Sequence, residues 1–197
     1  MVHTVFFSWQ SDRGQEEQDL IEAALEDALG RITADASVEP AIRSEGLAVD
    51  RDTKGVGGSP PIVDTIFSKI DMATVFVPDM TYVATRVSGN PSPNPNVLIE
   101  YGWALKSLGH GRMLPVMNSY YGAPKPENMP FDMRHLKFPT AFYLPPDADS
   151  AKIAAERAQL SKSLEANLRT IFLTPGVLPP ARAPAAVSRR EDIEAIP

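Results

Sequence analysis

The sequence contains no cysteine and only three histidines, His3, His110 and His135, which are far apart along the chain. Disulfide bonds and thiolate nucleophiles are therefore excluded. The histidines do not have the spacing of a metal-binding pair, so we expect each to be an ordinary structural residue. The sequence thus predicts a protein without a metal site.

Long apolar runs and an excess of basic residues are also absent. No stretch of eighteen apolar residues occurs, and Met1 does not begin a charged and then apolar leader, so we expect a soluble, cytoplasmic protein. The net charge of -6 argues against direct binding of nucleic acid or anionic membranes, because both require a basic surface. A length of 197 residues with 43% hydrophobic content suits one globular domain.

The motifs of several enzyme classes are missing. There is no G-x-S-x-G sequence, which disfavours a serine hydrolase, and residues 8–12 replace the glycines of a dinucleotide-binding fingerprint. The glycine-containing loop at 50–59 is similar to an anion cradle but lacks P-loop spacing, so a mobile loop is the favoured interpretation. Arg51 and Asp52, at its start, remain candidates for contact with a ligand or a neighbouring subunit.

Apolar runs alternate with amphipathic stretches, which is typical of parallel α/β proteins. Five runs are predicted as strands, at residues 4–8, 46–50, 73–78, 113–117 and 140–144. We therefore predict a flavodoxin-like three-layer α/β sandwich with a five-stranded parallel sheet in the order 2-1-3-4-5. In that order ligands bind at the carboxyl ends of the strands, between strands one and three.

This crevice brings together polar side chains from several loops and from one helix start. We expect the following residues to bind substrate: Ser8, Trp9, Gln10, Asp12, Arg51, Asp52, Asp79 and Asn96. Trp9 is placed to stack on a ring and Asp12 to contact a polar group of the ligand.

Two prolines affect the predicted elements, one at the start of a helix and one inside a strand. Ser59 and Pro60 predict the N-cap and first residue of the second helix, with Ile62 and Val63 among its buried residues. Pro115 lies inside the fourth predicted strand and should make that strand short or bulged.

The helix around Glu100 has the clearest start signal in the chain. Asn94 is a good N-cap and Pro95 a preferred first residue, so Glu100 should lie in the second turn. Helical periodicity places Glu100 at the edge of the buried stripe, on the same side as Asn96 and Ser107. From periodicity alone, a catalytic role and a structural role for the Glu100 carboxylate are equally open.

On the same helix Ile99 and Trp103 are predicted to point away from the core. Large apolar side chains exposed on one helix face commonly mark a protein contact, so we predict a self-association surface there. The alternative is that the long loop at 118–137 folds over Trp103.

Composition changes after the last predicted helix, where prolines, alanines and a charged run follow. We therefore expect a domain at residues 1–173 and a linker or tail at 174–197. A linker of this kind predicts that the chain is a piece of a longer protein with a further domain.

Five motifs in order resemble the bacterial TIR-like domain family over about residues 3–145. They lie at residues 5–12, 50–53, 78–79, 94–104 and 130–134. The resemblance implies a flavodoxin-like fold and cleavage of NAD⁺ at its nicotinamide glycosidic bond, with Glu100 as the catalytic residue. NAD⁺ is then the substrate, and no further cofactor is implied. Residues 100–104 are also similar to nucleoside deoxyribosyltransferases, in which such a glutamate is the nucleophile.

The resemblance also implies regulation by assembly. In TIR domains the loop after the second strand of one subunit commonly completes the site of the next, which assigns Gly55 and Gly57, with Ile99 and Trp103, to an assembly interface. Such domains often accompany a sensor of cyclic oligonucleotides in antiphage defence. Two alternatives stay open: a deoxyribosyltransferase-like N-glycosidase and a non-catalytic TIR adaptor.

Overall fold

The centre of the protein is a parallel sheet of three strands in the order β2-β1-β3. These strands are β1 His3–Ser8, β2 Leu47–Asp50 and β3 Val75–Pro78. The computed structural model describes residues 2–38, 46–52 and 61–177. The strands are short and rich in β-branched and aromatic residues, as a sheet covered on both faces requires.

A second parallel sheet has two strands, β6 Val116–Asn118 and β7 Thr140–Phe142. Only two isolated parallel bridges, Phe76 with Met113 and Asp79 with Val116, lie between β3 and this sheet. The predicted continuous five-stranded sheet is therefore wrong. Pro78 and Pro115 have no N–H to donate, so a regular ladder between β3 and β6 is interrupted. The expectation that Pro115 shortens its strand is confirmed.

An antiparallel hairpin follows β3 and was not predicted. It consists of β4 Tyr82–Thr85 and β5 Pro91–Pro93. Its second strand contains two prolines, which removes the strand signal from the sequence. The hairpin leads directly into the helix that carries Glu100.

Helices cover both faces of the central sheet. They are α1 Gln15–Ala34, α2 Ile62–Met72, α3 Pro95–Leu108 and α4 Ser150–Phe172. Val5 and Phe7 of β1 face the core formed with α1 and α4, whereas Phe6 faces α2 and α3. This alternation along one strand gives a three-layer α/β arrangement whose central strand order is that of flavodoxin-like folds.

The start of α2 differs from the prediction. Pro61 is its N-cap, and Ile62 and Val63 are 64% and 58% exposed rather than buried. Ile70 is fully buried, because α2 contacts the core through its C-terminal half. Ser59 and Pro60 lie outside the described residues, as do Gly55 and Gly57.

At the other end of the chain, α4 ends at Phe172, one residue before the predicted domain boundary. Residues 178–197 lie outside the described part, so the linker stays a prediction. Within the described ranges, no helix is both long and apolar enough to cross a membrane.

Candidate active site

The start of α3 has the predicted cap. The Asn94 side-chain oxygen accepts a hydrogen bond of 2.8 Å from the Asn96 N–H, and Pro95 is the first helical residue. A rigid first turn therefore fixes the backbone that carries Glu100.

The Glu100 carboxyl has a close polar partner on the sheet. The Ser8 hydroxyl, at the end of β1, donates to Glu100 Oε2 over 2.5 Å. Burial raises the pKa of Glu100, and the hydrogen bond from Ser8 opposes that rise. The site thus holds a partly desolvated carboxyl with a donor that favours its ionised form.

A cavity of about 170 Å³, which we call the Glu100 cavity, lies beside this pair. Five predicted site residues line it, namely Ser8, Trp9, Asp52, Asn96 and Glu100. Trp9 is half-buried and Asn96 is exposed, so the cavity has an aromatic wall and a polar rim. Its volume suits one sugar ring rather than a whole dinucleotide, because sites that enclose drug-sized ligands measure about 300–1,000 Å³.

Asp12 lies near the site, but its carboxylate contacts the start of α3 and does not line the cavity. The Asn94 amide donates to Asp12 Oδ2 over 2.6 Å, which ties the loop after β1 to the start of α3. Gln10 Oε1 accepts from the N–H of Asp12 over 2.6 Å and folds the same loop. The structure therefore gives both residues a contact that positions the loop.

Asp79 and Gln10 belong to a buried network outside the cavity. Gln10 Nε2 donates to Asp79 Oδ2 over 3.2 Å, and the Thr81 N–H donates to Asp79 Oδ1 over 3.0 Å. The Asp79 N–H also donates to the Ser8 carbonyl over 2.8 Å. Burial raises the pKa of Asp79. The structure does not bring these two predicted binding residues to the Glu100 cavity.

Glu17 is a buried acid that sequence reasoning missed. Asn118 Nδ2 donates to Glu17 Oε2 over 2.7 Å, and only 3% of Glu17 is exposed. Burial, and then the charge of Asp79, raise the pKa of Glu17 to about 7. Helical periodicity could have revealed it. Glu17 lies on the same side of α1 as Ile21 and Ala24, which are buried.

Arg51 points to α1 rather than to the cavity. It forms an ion pair of 3.1 Å with Glu22, while its neighbour Asp52 has the uncommon backbone angle φ of 37° and lines the cavity. At the end of β2, Asp50 pairs with Lys69 of α2 over 2.8 Å. The beginning of the glycine-containing loop is therefore held between two helices.

Ile99 and Trp103 differ in their surroundings. Ile99 is 61% exposed, as predicted. Trp103 instead stacks on Phe67 of α2, with ring centroids 4.3 Å apart, and its Nε1 donates to Asp71 over 2.8 Å. The expected outward Trp103 is thus wrong, and its partner is α2 rather than the loop at 118–137.

The described residues include no group of three or more histidine, cysteine, aspartate or glutamate side chains that could hold a metal ion. The chemistry available at the Glu100 cavity is that of two carboxyls, those of Glu100 and Asp52, with a hydroxyl, an amide and aromatic rings. A carboxylate in such surroundings can stabilise a cation formed next to it.

No protein-family model and no curated protein matches this sequence. Among solved structures, the chain is similar to the flavodoxin-like domain of a Synechococcus sp. protein, at 16% identity and a TM-score of 0.42, covering 86% of this chain and 99% of that one. It is also similar to a diflavin flavoprotein A3 from Nostoc sp., at 14% identity and a TM-score of 0.39, covering 87% and 96%. At this level of similarity the two structures do not indicate a reaction for this protein. The resemblance to TIR-like domains stays a prediction from the sequence motifs.

Proposed function

We propose that this protein is an N-glycoside hydrolase that cleaves NAD⁺ between nicotinamide and ribose, with Glu100 as its catalytic carboxylate. The observation that supports this most is the pairing of Glu100 with Ser8 at a cavity of about 170 Å³. The choice of NAD⁺ among N-glycosides depends on the resemblance to TIR-like domains.

In the proposed reaction the bond between ribose C1 and the nicotinamide nitrogen breaks. Its electron pair stays with that nitrogen, so nicotinamide leaves as a neutral molecule and the ribose becomes an oxocarbenium cation. The Glu100 carboxylate stabilises this cation, since opposite charges attract strongly where water is scarce. Water then adds to C1 and releases a proton, which gives ADP-ribose.

The other cavity residues have supporting roles in this proposal. Ser8 orients the carboxylate and favours its charged form through the hydrogen bond of 2.5 Å. Trp9 provides an apolar wall for a ring, and Asn96 can bond a ribose hydroxyl. The remainder of the dinucleotide extends out of the cavity, because the volume accommodates only one ring.

The test is release of nicotinamide from NAD⁺, followed by chromatography over a range of protein concentrations. We expect release by the wild type and a loss of at least about 100-fold in Glu100→Gln, as expected when a transition-state charge loses its partner. Glu127→Gln makes the same chemical change at an exposed loop residue and should leave the rate unchanged. Equal rates for Glu100→Gln and the wild type would refute the role of Glu100.

Base exchange offers the second outcome. If the wild type transfers deoxyribose between bases but does not cleave NAD⁺, the protein is a deoxyribosyltransferase-like enzyme that uses the same carboxylate. Assembly without either activity would identify a non-catalytic adaptor.

We further propose that the protein self-associates and that a sensor domain controls this step. Ile99 contributes an exposed apolar side chain on α3, next to the residue that carries the chemistry. Trp103 supports the same surface by holding α3 against α2. The contribution of Gly55 and Gly57, and a sensor of cyclic oligonucleotides in antiphage defence, rest on the family resemblance.

A further inference from the structure

A second cavity, of about 270 Å³, lies beside the two-stranded sheet, at the opposite strand ends from the Glu100 cavity. It is bounded by Pro115 and Thr140, which stand at the amino ends of β6 and β7, and by Tyr101 of α3 and Asn167 of α4. We call it the Tyr101 cavity. The Glu100 cavity, in contrast, lies at the carboxyl end of β1. The two cavities therefore share α3 but do not overlap.

The charged side chain that lines the Tyr101 cavity is a cation. Lys137 supplies an ammonium, and no aspartate or glutamate within the described part of the chain lines the cavity, although the whole chain has a net charge of -6. The Lys137 ammonium donates to Asn167 Oδ1 over 2.8 Å, and Lys137 is exposed, so its charge can reach a ligand at the mouth. A local excess of positive charge in an acidic protein favours an anion.

Tyr101 adds a hydroxyl to this cavity. The residue is only 6% exposed, and burial alone raises the pKa of its phenol, with no hydrogen bond contributing. A phenol in this position can donate to an oxygen atom of a ligand. The Tyr101 hydroxyl is therefore a second hydrogen-bond donor in this cavity, beside the ammonium of Lys137.

Most of the remaining wall is apolar and includes Met113, Leu136 and Ile171. An apolar wall with a few converging donors is typical of small-molecule sites, and a volume of about 270 Å³ accommodates one ring with a short substituent. We propose that the Tyr101 cavity binds a small organic anion with a single-ring apolar body and one carboxylate. The proposal does not depend on the reaction at Glu100.

The test uses benzoate as the probe and benzamide as its neutral analogue, with binding followed by two-dimensional amide NMR of the full chain. We expect benzoate to shift the amide signals of Gly111, Thr140 and Asn167 saturably. Benzamide should bind about tenfold more weakly, because the neutral amide loses the charge-assisted hydrogen bond from the Lys137 ammonium. No saturable shift at these amides, or equal affinity for the two compounds, would overturn the proposal.

Three variants sharpen this test. Lys137→Gln should weaken benzoate about tenfold and leave benzamide unchanged. Lys162→Gln, the same change at an exposed position of α4 outside the cavity lining, should affect neither compound. A Cβ at Gly111 meets no atom within 4 Å, so Gly111→Leu introduces no clash at that atom. The added side chain should exclude both benzoate and benzamide. Benzoate binding that survives Lys137→Gln unchanged would contradict the proposed anion site.

Discussion

At the scale of single residues, the central feature is the contact between Ser8 and Glu100. The hydroxyl donates over 2.5 Å to a carboxyl whose pKa is raised by burial. Catalysis as proposed needs the charged carboxylate, so activity should increase as pH rises through the pKa of Glu100. Ser8 broadens the active range on the acid side because its hydrogen bond lowers that pKa.

Replacing Ser8 with alanine tests this relation. Without the donor the pKa of Glu100 should rise further, so the acid limb of the pH-rate profile should move up by on the order of one pH unit. Nicotinamide release measured across pH checks the expectation. Ser107→Ala, which removes an exposed hydroxyl on the same helix, should leave the limb in place. A profile unchanged in Ser8→Ala would show that the contact does not set the ionisation of Glu100.

At the scale of elements, the start of α3 joins the helix that carries Glu100 to the loop after β1. Asn94 uses its oxygen to cap α3 and its amide to hold Asp12. The sequence predicted the cap, because the Asn-Pro pair is a local signal. It did not reveal the second contact, since Asp12 and Asn94 are 82 residues apart.

The two contacts of Asn94 can be separated by substitution. Asn94→Ala removes both contacts and should lower the free energy of unfolding by about 1–2 kcal/mol. Asn94→Ser keeps a capping oxygen and should therefore retain much of the stability that Asn94→Ala loses. Urea unfolding with an unchanged m-value measures the difference. Equal stability of the two variants would mean that the cap contributes little here.

The outer side of α3 gives a second prediction at this scale. Trp103→Ala removes a stacked ring and the hydrogen bond to Asp71, so it should destabilise the fold by about 2–3 kcal/mol. Ile99→Lys changes an exposed residue, so it should leave stability within about 0.5 kcal/mol while reducing self-association. Thermal unfolding and light scattering separate the two effects. Unchanged oligomers in Ile99→Lys would exclude Ile99 from the interface.

At the scale of the whole molecule, three separate elements bring acids and amides into one buried network. Glu17 comes from α1, Asp79 follows β3 and Asn118 ends β6. Glu17 has a pKa of about 7 in the fold, against 4.5 as its ordinary value. Between these two pH values the folded protein keeps a proton that the unfolded chain has released. Stability should therefore fall as pH rises through this window and become level above it.

Glu17→Gln should remove this dependence. A shift from 4.5 to about 7 corresponds to roughly 3 kcal/mol, so the variant should gain up to about that much relative to the wild type between pH 4.5 and 8. Urea unfolding at several pH values measures the difference. Glu16→Gln changes the preceding, exposed carboxylate and should follow the wild-type curve. Parallel curves for Glu17→Gln and the wild type would show that Glu17 is ionised normally in the fold.

Local signals in the sequence determined the alternation of strands and helices, the start of α3 and the outward position of Ile99, because each depends on neighbours a few residues away. Only the tertiary structure decided where the parallel ladder stops, since Pro78 and Pro115 act through a pairing between distant segments. It also decided that Trp103 packs on Phe67 and that Ser8 reaches Glu100. Contacts between residues this far apart depend on how the layers pack, which local periodicity does not encode.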